Sequence, residues 1–391
     1  MKQVAVLGGG PAGAFAAEQL ASAGIRTILF DEKLAWEKPC GGGLTYKAYH
    51  QYPFLLENPV PKRIVTQTRL AAPGTSDSAL NLDQPLLIYS RTDLNQLLLN
   101  RAAAAGVEIA KTHVSSIERS GEGWTVRTRS GSVSADWCIV ATGARNGLRN
   151  VGTELCGADT MIALGYFVPG DRSAIDIQFL PKLDGYIWVF PRCGHMSVGI
   201  CGKGEPATAL RKRLELYMNS RNLPIEGSQF YSHTLPCLAT PSWNGNRVAG
   251  EGWLAVGDAA GLVDPVTGEG LYYALRSAEL AARTIISGAT DSSYRRWLRR
   301  EIATDLEIGS RLAGRLFRGS FLGASFPSRM VQFTRRSPSV KAVIQDLFSG
   351  TQPYHGLKAR LLQNMKGSLL EIAMSFAPMK HSRITDYSNE S

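Results

Sequence analysis

The sequence predicts an α/β protein in which a parallel-sheet domain is interrupted by an antiparallel sheet and followed by a helical C-terminal region. Three observations predict it. Val4-Ala5-Val6-Leu7 is a short apolar run that leads into closely spaced glycines and a helix over residues 14–23. Between residues 160 and 201 the pattern changes to short alternating strands, as in antiparallel sheet. Beyond residue 291 amphipathic helical stretches take over, with sixteen Lys/Arg against eight Asp/Glu.

The first element sets the ligand class. Gly8, Gly10 and Gly13 fit G-x-G-x-x-G at a strand-to-helix turn. Gly8 permits the turn, Gly10 lets a pyrophosphate approach the backbone, and Gly13 lets the helix close on the strand. The helix N-terminus then offers free N–H groups and the positive end of its dipole. A second strand over 25–30 ends at Asp31, close to the separation at which an acid takes the adenosine ribose hydroxyls. This makes the domain Rossmann-like and argues against a 2′-phosphate, leaving NAD or FAD.

The remaining elements follow in order. Lys38-Pro39-Cys40-Gly41-Gly42-Gly43-Leu44 is a second glycine-rich loop whose bare backbone suits a flat or phosphorylated ligand. Cys40 beside it is either a small buried hydrophobe or a thiol facing that ligand. Residues 61–83 have β character, and a helix is expected from Thr92 or Asp93 through 105, then a strand over 107–109 and a hairpin over 114–129. A buried strand ends in Ala141-Thr142-Gly143-Ala144. Strands near 163–168, 174–179, 185–191 and 196–201 precede a helix over 207–219. Residues 253–261 return to strand and turn, and a helix is expected over 271–286. Two further amphipathic helices are expected over 294–317 and 357–376. Their stripes are Leu298, Ile302 and Leu306, and Leu357, Leu361, Met365 and Leu369. Residues 382–391 read as a frayed tail.

Composition narrows the class. The net charge of +10 comes mostly from the C-terminal hundred residues, which would suit anionic lipid, a phosphorylated substrate or simply a solvated face. No apolar stretch reaches the roughly 18 residues of a membrane span. The first strand starts almost at Met1, leaving no room for a targeting segment, so a cytoplasmic location is expected. Six cysteines without a C-x-x-C pair are expected as free thiols, and six histidines without ligand spacing predict no metal.

With these pieces in place the chain resembles the FAD-dependent geranylgeranyl reductase family, part of the p-hydroxybenzoate-hydroxylase-like flavoproteins. The resemblance covers residues 2 to about 290 and rests on five motifs. They are Gly8–Gly13 with Asp31; Pro39-Cys40-Gly41-Gly42-Gly43-Leu44; Arg91 with Asp93 and Leu94; Gly257-Asp258-Ala259-Ala260-Gly261 with Pro265 and Gly268-Glu269-Gly270; and Tyr186-Ile187-Trp188-Val189-Phe190-Pro191, similar to the family's Y-x-W-x-F-P. The fourth selects FAD over NAD. It implies that Asp258 meets the ribityl chain and that the helix near Gly268 aims its positive end at the flavin ring, where reduction places negative charge.

The resemblance implies FAD contacts at Gly8, Gly10, Ala12, Gly13, Asp31, Cys40, Gly41, Gly43, Arg91, Val114, Gly143, Asp258, Gly268, Gly270 and Leu271. It further implies a substrate wall of Tyr186, Trp188 and Phe190, which share one face of a strand. Cys40 and Tyr186 are the candidate catalytic residues on the proton side. The A-T-G-A segment lacks the acid of the relatives' G-A-D-G, and no second G-x-G-x-x-G follows. The electron donor is therefore open between NAD(P)H and a small redox protein.

The expected architecture is a Rossmann-like FAD-binding domain (1–60, 85–150 and 248–290), an inserted antiparallel β-sheet substrate domain (61–84 and 151–247) and a helical basic region (291–391). The expected activity is reduction of isoprenoid C=C bonds by hydride from reduced flavin. The alternative is a monooxygenase or halogenase of the same fold, against which the absence of W-x-W-x-I-P counts. A prenylated small molecule or lipid is the expected partner, with a peripheral membrane contact open and no nucleic acid.

Overall fold

A computed structural model describes residues 2–361. Its first sheet has the order Ala249–Gly250, Trp253–Ala255, Trp137–Val140, Gln3–Leu7, Arg26–Phe30, Glu108–Ala110, parallel except for the Ala249–Gly250 edge. Val4, Val6, Ile139 and Val140 are fully buried, which is why these strands read as unbroken apolar runs. The helix Pro11–Ser22 packs against Arg91–Ala104 and Leu271–Ile286. It starts three residues earlier than expected because Pro11, which has no N–H to leave unpaired, suits the first helical position.

The second sheet has eight strands in the order Gln229–Pro236, Thr160–Pro169, His195–Lys203, Asp184–Pro191, Ile175–Phe179, Lys62–Ala71, Ser78–Tyr89, Gly43–Leu44. It is antiparallel apart from one pair, Ile175–Phe179 beside Lys62–Ala71, which is parallel. Parallel neighbours need a long crossover, and here much of the first domain is that crossover. Ser78–Tyr89 is one continuous strand, so the boundary expected at residue 85 falls inside it. The glycine loop is also tied to this sheet, through Gly43 opposite Ile88 and Leu44 opposite Leu87. The expected hairpin over 114–129 has a third strand, Gly131–Ala135, whose Gly-Ser-Val-Ser-Ala sequence carries little apolar signal.

The stretch expected as one helix over 294–317 is Asp291–Leu298, a π-helical turn Arg299–Ala303 and Thr304–Arg318. Leu298, Ile302 and Leu306 lie in the core of the first domain, so that stripe is packing. Thr304–Arg318 then joins Phe326–Arg336 and Pro338–Ser349 over one face of the eight-stranded sheet. Of the helix expected over 357–376, only 357–361 is described. Met365, Leu369 and the tail at 382–391 lie outside the described residues. No helix among the described residues is long and apolar enough to cross a membrane.

Candidate active site

A cleft opens at the carboxyl ends of the parallel strands, where ligands bind in sheets of this kind. Of the expected cofactor contacts, Gly10, Ala12, Cys40, Arg91, Gly143, Asp258, Gly268, Gly270 and Leu271 line it. The glycines differ in their surroundings. A Cβ on Gly8 would stand 2.4 Å from the Ala141 carbonyl, and one on Gly13 only 1.8 Å from the Gly8 carbonyl. At Gly10 a Cβ would meet no protein atom within 4 Å, so that backbone is bare toward the cleft. Asp31 accepts the Gly9 N–H at 2.7 Å and the Lys33 and Leu34 N–H groups at the same distance, which fixes its carboxylate at the end of the second strand. Val114 opens the three-stranded sheet outside the lining residues. Its neighbour His113 lies 3.6 Å from Glu32, which puts Val114 at the Asp31 end.

Charge in the cleft suits a diphosphate. Lys38 meets Asp258 at 3.2 Å, and Arg91 stands beside them with 3% exposure. Two buried nitrogens here have no partner: Nε of Arg91 and Nε2 of His233. Burial and the neighbouring Lys38 push His233 down to about 4, so it is neutral. An orphaned guanidinium N–H in a glycine-lined cleft is an open site for an acceptor.

The second glycine loop differs from the expectation that it faces a ligand. Cβ atoms on Gly41 and Gly43 would sit 3.3 and 3.0 Å from the Phe190 ring, so the flat group against this backbone is the chain's own side chain. Gly42, at φ +82°, would drive a Cβ to 2.1 Å from the Tyr89 carbonyl. Arg192, fully buried, anchors the loop: it donates to the carbonyls of Cys40 and Gly41 and pairs with Glu37. Glu37 in turn accepts from Ser90 Oγ, Thr92 Oγ1 and the Arg91 and Thr92 N–H groups, capping the helix Arg91–Ala104. Although burial opposes its charge, Arg192 and these donors hold Glu37 down to about 2. Neither Glu37 nor Arg192 was marked by any motif. Cys40 feels the same cations: burial would raise its thiol, but Arg91 and Arg192 leave it below the usual range.

Tyr186, Trp188 and Phe190 project from one face of Asp184–Pro191, as expected. They do not line the cleft but flank it. Phe190 lies on the glycine loop, and the Tyr186 hydroxyl donates to the Thr267 carbonyl beside Gly268. Burial, with Cys201 and Asp264 nearby, pushes the Tyr186 phenol well above its ordinary value. Its proton is committed, which weighs against Tyr186 as an acid. Trp188 lies flat on Gly199, where a Cβ would come within 2.3 Å of the indole.

Behind the turn at 264–270 sits a group of acids that sequence reading passed over. Asp264 accepts the Val266 and Thr267 N–H groups and the Tyr354 hydroxyl at 2.8 Å, so the C-terminal region is fastened to the turn. Glu269 accepts from Thr45 Oγ1 at 3.0 Å, joining the two loops. Burial, then Asp264, raises Glu269 to about 7. The single signal in the sequence was Glu269's place between two motif glycines. Among the described residues the six cysteines are unpaired and no three metal-ligating side chains converge.

A family model described as pyridine nucleotide-disulphide oxidoreductase matches residues 2–161. A geranylgeranyl diphosphate reductase from a Synechocystis strain is 29% identical over 73% of this chain and 75% of its own length. The chain is an FAD-dependent oxidoreductase related to the geranylgeranyl reductases. A menaquinone reductase from Mycolicibacterium smegmatis is 28% identical over 87% of this flavoprotein and 90% of its own length. In fold, the flavoprotein matches a geranylgeranyl bacteriochlorophyll reductase-like structure from Thermoplasma acidophilum. The TM-score is 0.77, with 19% identity and 96% and 99% of the two chains covered. A flavin-dependent brominase has the same fold, at TM-score 0.68 and 15% identity over 95% and 99% of the two chains. The residues of the cleft fit FAD: Gly10 is bare where a pyrophosphate must approach, Arg91 has a donor to spare, and two helices begin at the cleft.

Proposed function

We propose that this flavoprotein reduces carbon–carbon double bonds of a prenyl chain. The observation that carries the reading is the strand Asp184–Pro191, whose apolar face of Tyr186, Trp188 and Phe190 abuts both loops of the cofactor cleft. Relatives named for geranylgeranyl diphosphate and menaquinone support a long isoprenoid over a small aromatic substrate. Bound FAD would supply the hydride. The chain's own residues do the rest. Trp188 and Tyr186, covered by the helices Thr304–Arg318, Phe326–Arg336 and Pro338–Ser349, exclude water and hold an apolar chain in one orientation. Arg91 and the N-terminus of Leu271–Ile286 stabilise negative charge at the cleft. Among the groups at this end, burial and Asp264 raise Glu269 to about 7, within reach of proton exchange near neutrality, whereas the Cys40 thiol is shifted toward its charged form.

The test is anaerobic. The flavin is reduced with dithionite, excess reductant is removed, and prenyl diphosphates, prenylated lipids and polyprenyl quinones are added in turn. Flavin reoxidation with a product heavier by two hydrogens is expected. A flavin that stays reduced with every prenyl compound, yet gives a hydroperoxide-like spectrum with O₂, would overturn the reading in favour of a monooxygenase.

A further inference from the structure

Three large apolar side chains stand in solvent within six residues: Phe321 at 48% exposure, Leu322 at 66% and Phe326 at 41%. They cluster around a two-residue hairpin joining Ser320–Phe321 to Ala324–Ser325. Its tip is Leu322 at φ +48° followed by Gly323 at φ +74°. Both central residues are left-handed, and such a turn favours Asn-Gly or Asp-Gly. Leucine at the first position therefore opposes the local backbone preference and also exposes an apolar side chain. The hairpin is nevertheless well held. Arg329 donates to the carbonyls of both Phe321 and Leu322, and the Phe321 ring meets Phe333 edge-on at 6.4 Å.

Beside the hairpin is an open cleft of about 740 Å³, lined by Lys182, Lys203 and Arg318 as well as Asp184 and Glu205. The two acids are already engaged, Asp184 with Arg318 at 3.0 Å and Glu205 with Arg213 at 3.0 Å. Lys182 is exposed and has no acidic partner among the described residues. The inner wall of this cleft is Phe317. From there a series of rings runs inward, Phe317 to Phe179 at 6.5 Å, Phe179 to Tyr186 at 6.4 Å, and Tyr186 to Trp188 at 6.3 Å.

We propose that this hairpin docks the protein on an anionic lipid bilayer, with Phe321, Leu322 and Phe326 in the apolar layer and the neighbouring cleft facing the membrane. A protruding apolar tip next to an exposed cation, Lys182, with Arg318 and Lys203 in the same cleft already bonded to Asp184 and the Cys237 carbonyl, has the complementarity of a headgroup interface; a protein partner would call for a broader apolar face. The docking stands on the exposed apolar hairpin and the neighbouring Lys182. Its further consequence, that a lipid-borne prenyl chain enters along the ring series, rests on the proposed reductase activity.

The experiment uses the flavin-loaded protein and vesicles of phosphatidylcholine with or without 30% phosphatidylglycerol, a composition chosen at roughly physiological anionic content. The Phe321→Ser, Leu322→Asn double variant keeps the turn, because Asn suits the left-handed position. Sedimentation with the anionic vesicles should fall at least about tenfold, while flavin content and melting temperature are retained. In a Leu322→Trp variant the emission should shift to the blue on adding anionic vesicles. Equal sedimentation of parent and double variant would overturn the proposal. So would a parent that ignores anionic vesicles, or a Trp emission already blue before lipid is added, which would mean the tip is covered within the protein. A short, water-soluble prenyl diphosphate separates the two readings. If neither protein reduces it while their vesicle binding differs, the reductase reading fails and the docking stands.

Discussion

The turn at Gly8–Gly13 and the loop at Gly41–Gly43 are both rich in glycine, but different things stand in front of Gly10 and of the second loop. Ahead of Gly10 there is nothing of the protein's own, whereas Gly41 and Gly43 meet Phe190 and Gly42 meets the Tyr89 carbonyl. At Gly10 the first turn is bare, so that something else can come close. The second is bare so that two parts of one chain can come close, which locks the eight-stranded sheet to the cleft.

Alanine substitutions break this comparison most sharply. Gly42→Ala and Gly13→Ala should destabilise the protein by about 4 kcal/mol or more, because each puts a Cβ into a fixed carbonyl. Gly10→Ala should leave the melting temperature of the flavin-free protein nearly unchanged, within about 0.5 kcal/mol, but weaken FAD binding roughly 10–100-fold. Flavin titration beside thermal unfolding checks both, and a Gly10→Ala protein that fails to fold would erase the distinction.

Arg192→Met comes next. Removing the buried cation from Glu37 and the Cys40 carbonyl should cost about 3–5 kcal/mol by denaturant unfolding. The thiol pKa of Cys40 should rise, because one of the two cations that lower it is gone. Glu37 adds a pH signature. Its folded pKa is depressed to about 2, so its contribution is present above the unfolded value near 4.5 and is lost as pH falls toward 2. That acid-side loss should shrink in the variant.

Glu269 works in the opposite sense. Its folded pKa is raised to about 7, so the folded state holds the proton more tightly, and stability is lost as pH rises from about 4.5 through 7. Glu269→Gln should gain stability relative to the parent at pH 8 and show no gain at pH 4, read as the difference in melting temperature. The smallest effect is expected from Tyr186→Phe, which removes only the bond to the Thr267 carbonyl. Turnover should change by no more than about threefold, whereas a loss of roughly 100-fold, typical of a removed proton-transfer group, would return Tyr186 to the chemistry.

What the sequence makes legible is what is local. Gly8, Gly10, Gly13 and Asp31 lie within one strand–turn–helix–strand unit, so spacing alone brings them together. The alternation of Tyr186, Trp188 and Phe190 does the same for a strand face. Glu37 and Arg192 are 155 residues apart, and nothing near either announces the other. Tyr354 reaches Asp264 across 90 residues from a segment with no motif. Ser78–Tyr89 changes from alternating to continuously buried along its length, so a single strand running across residue 85 reads in sequence as two elements.

The strand Asp184–Pro191 carries one further consequence. Tyr186, Trp188 and Phe190 belong to the apolar cluster shared with the C-terminal helices, whereas Ile187 and Val189 belong to a separate cluster closed by the helix Ala207–Ser220. The pleat acts as a partition with a different room on each side. Residues at the even positions can be exchanged to remodel one room while the odd positions go on holding up the other. A lineage could therefore explore new shapes for the even-numbered face without disturbing the support behind it.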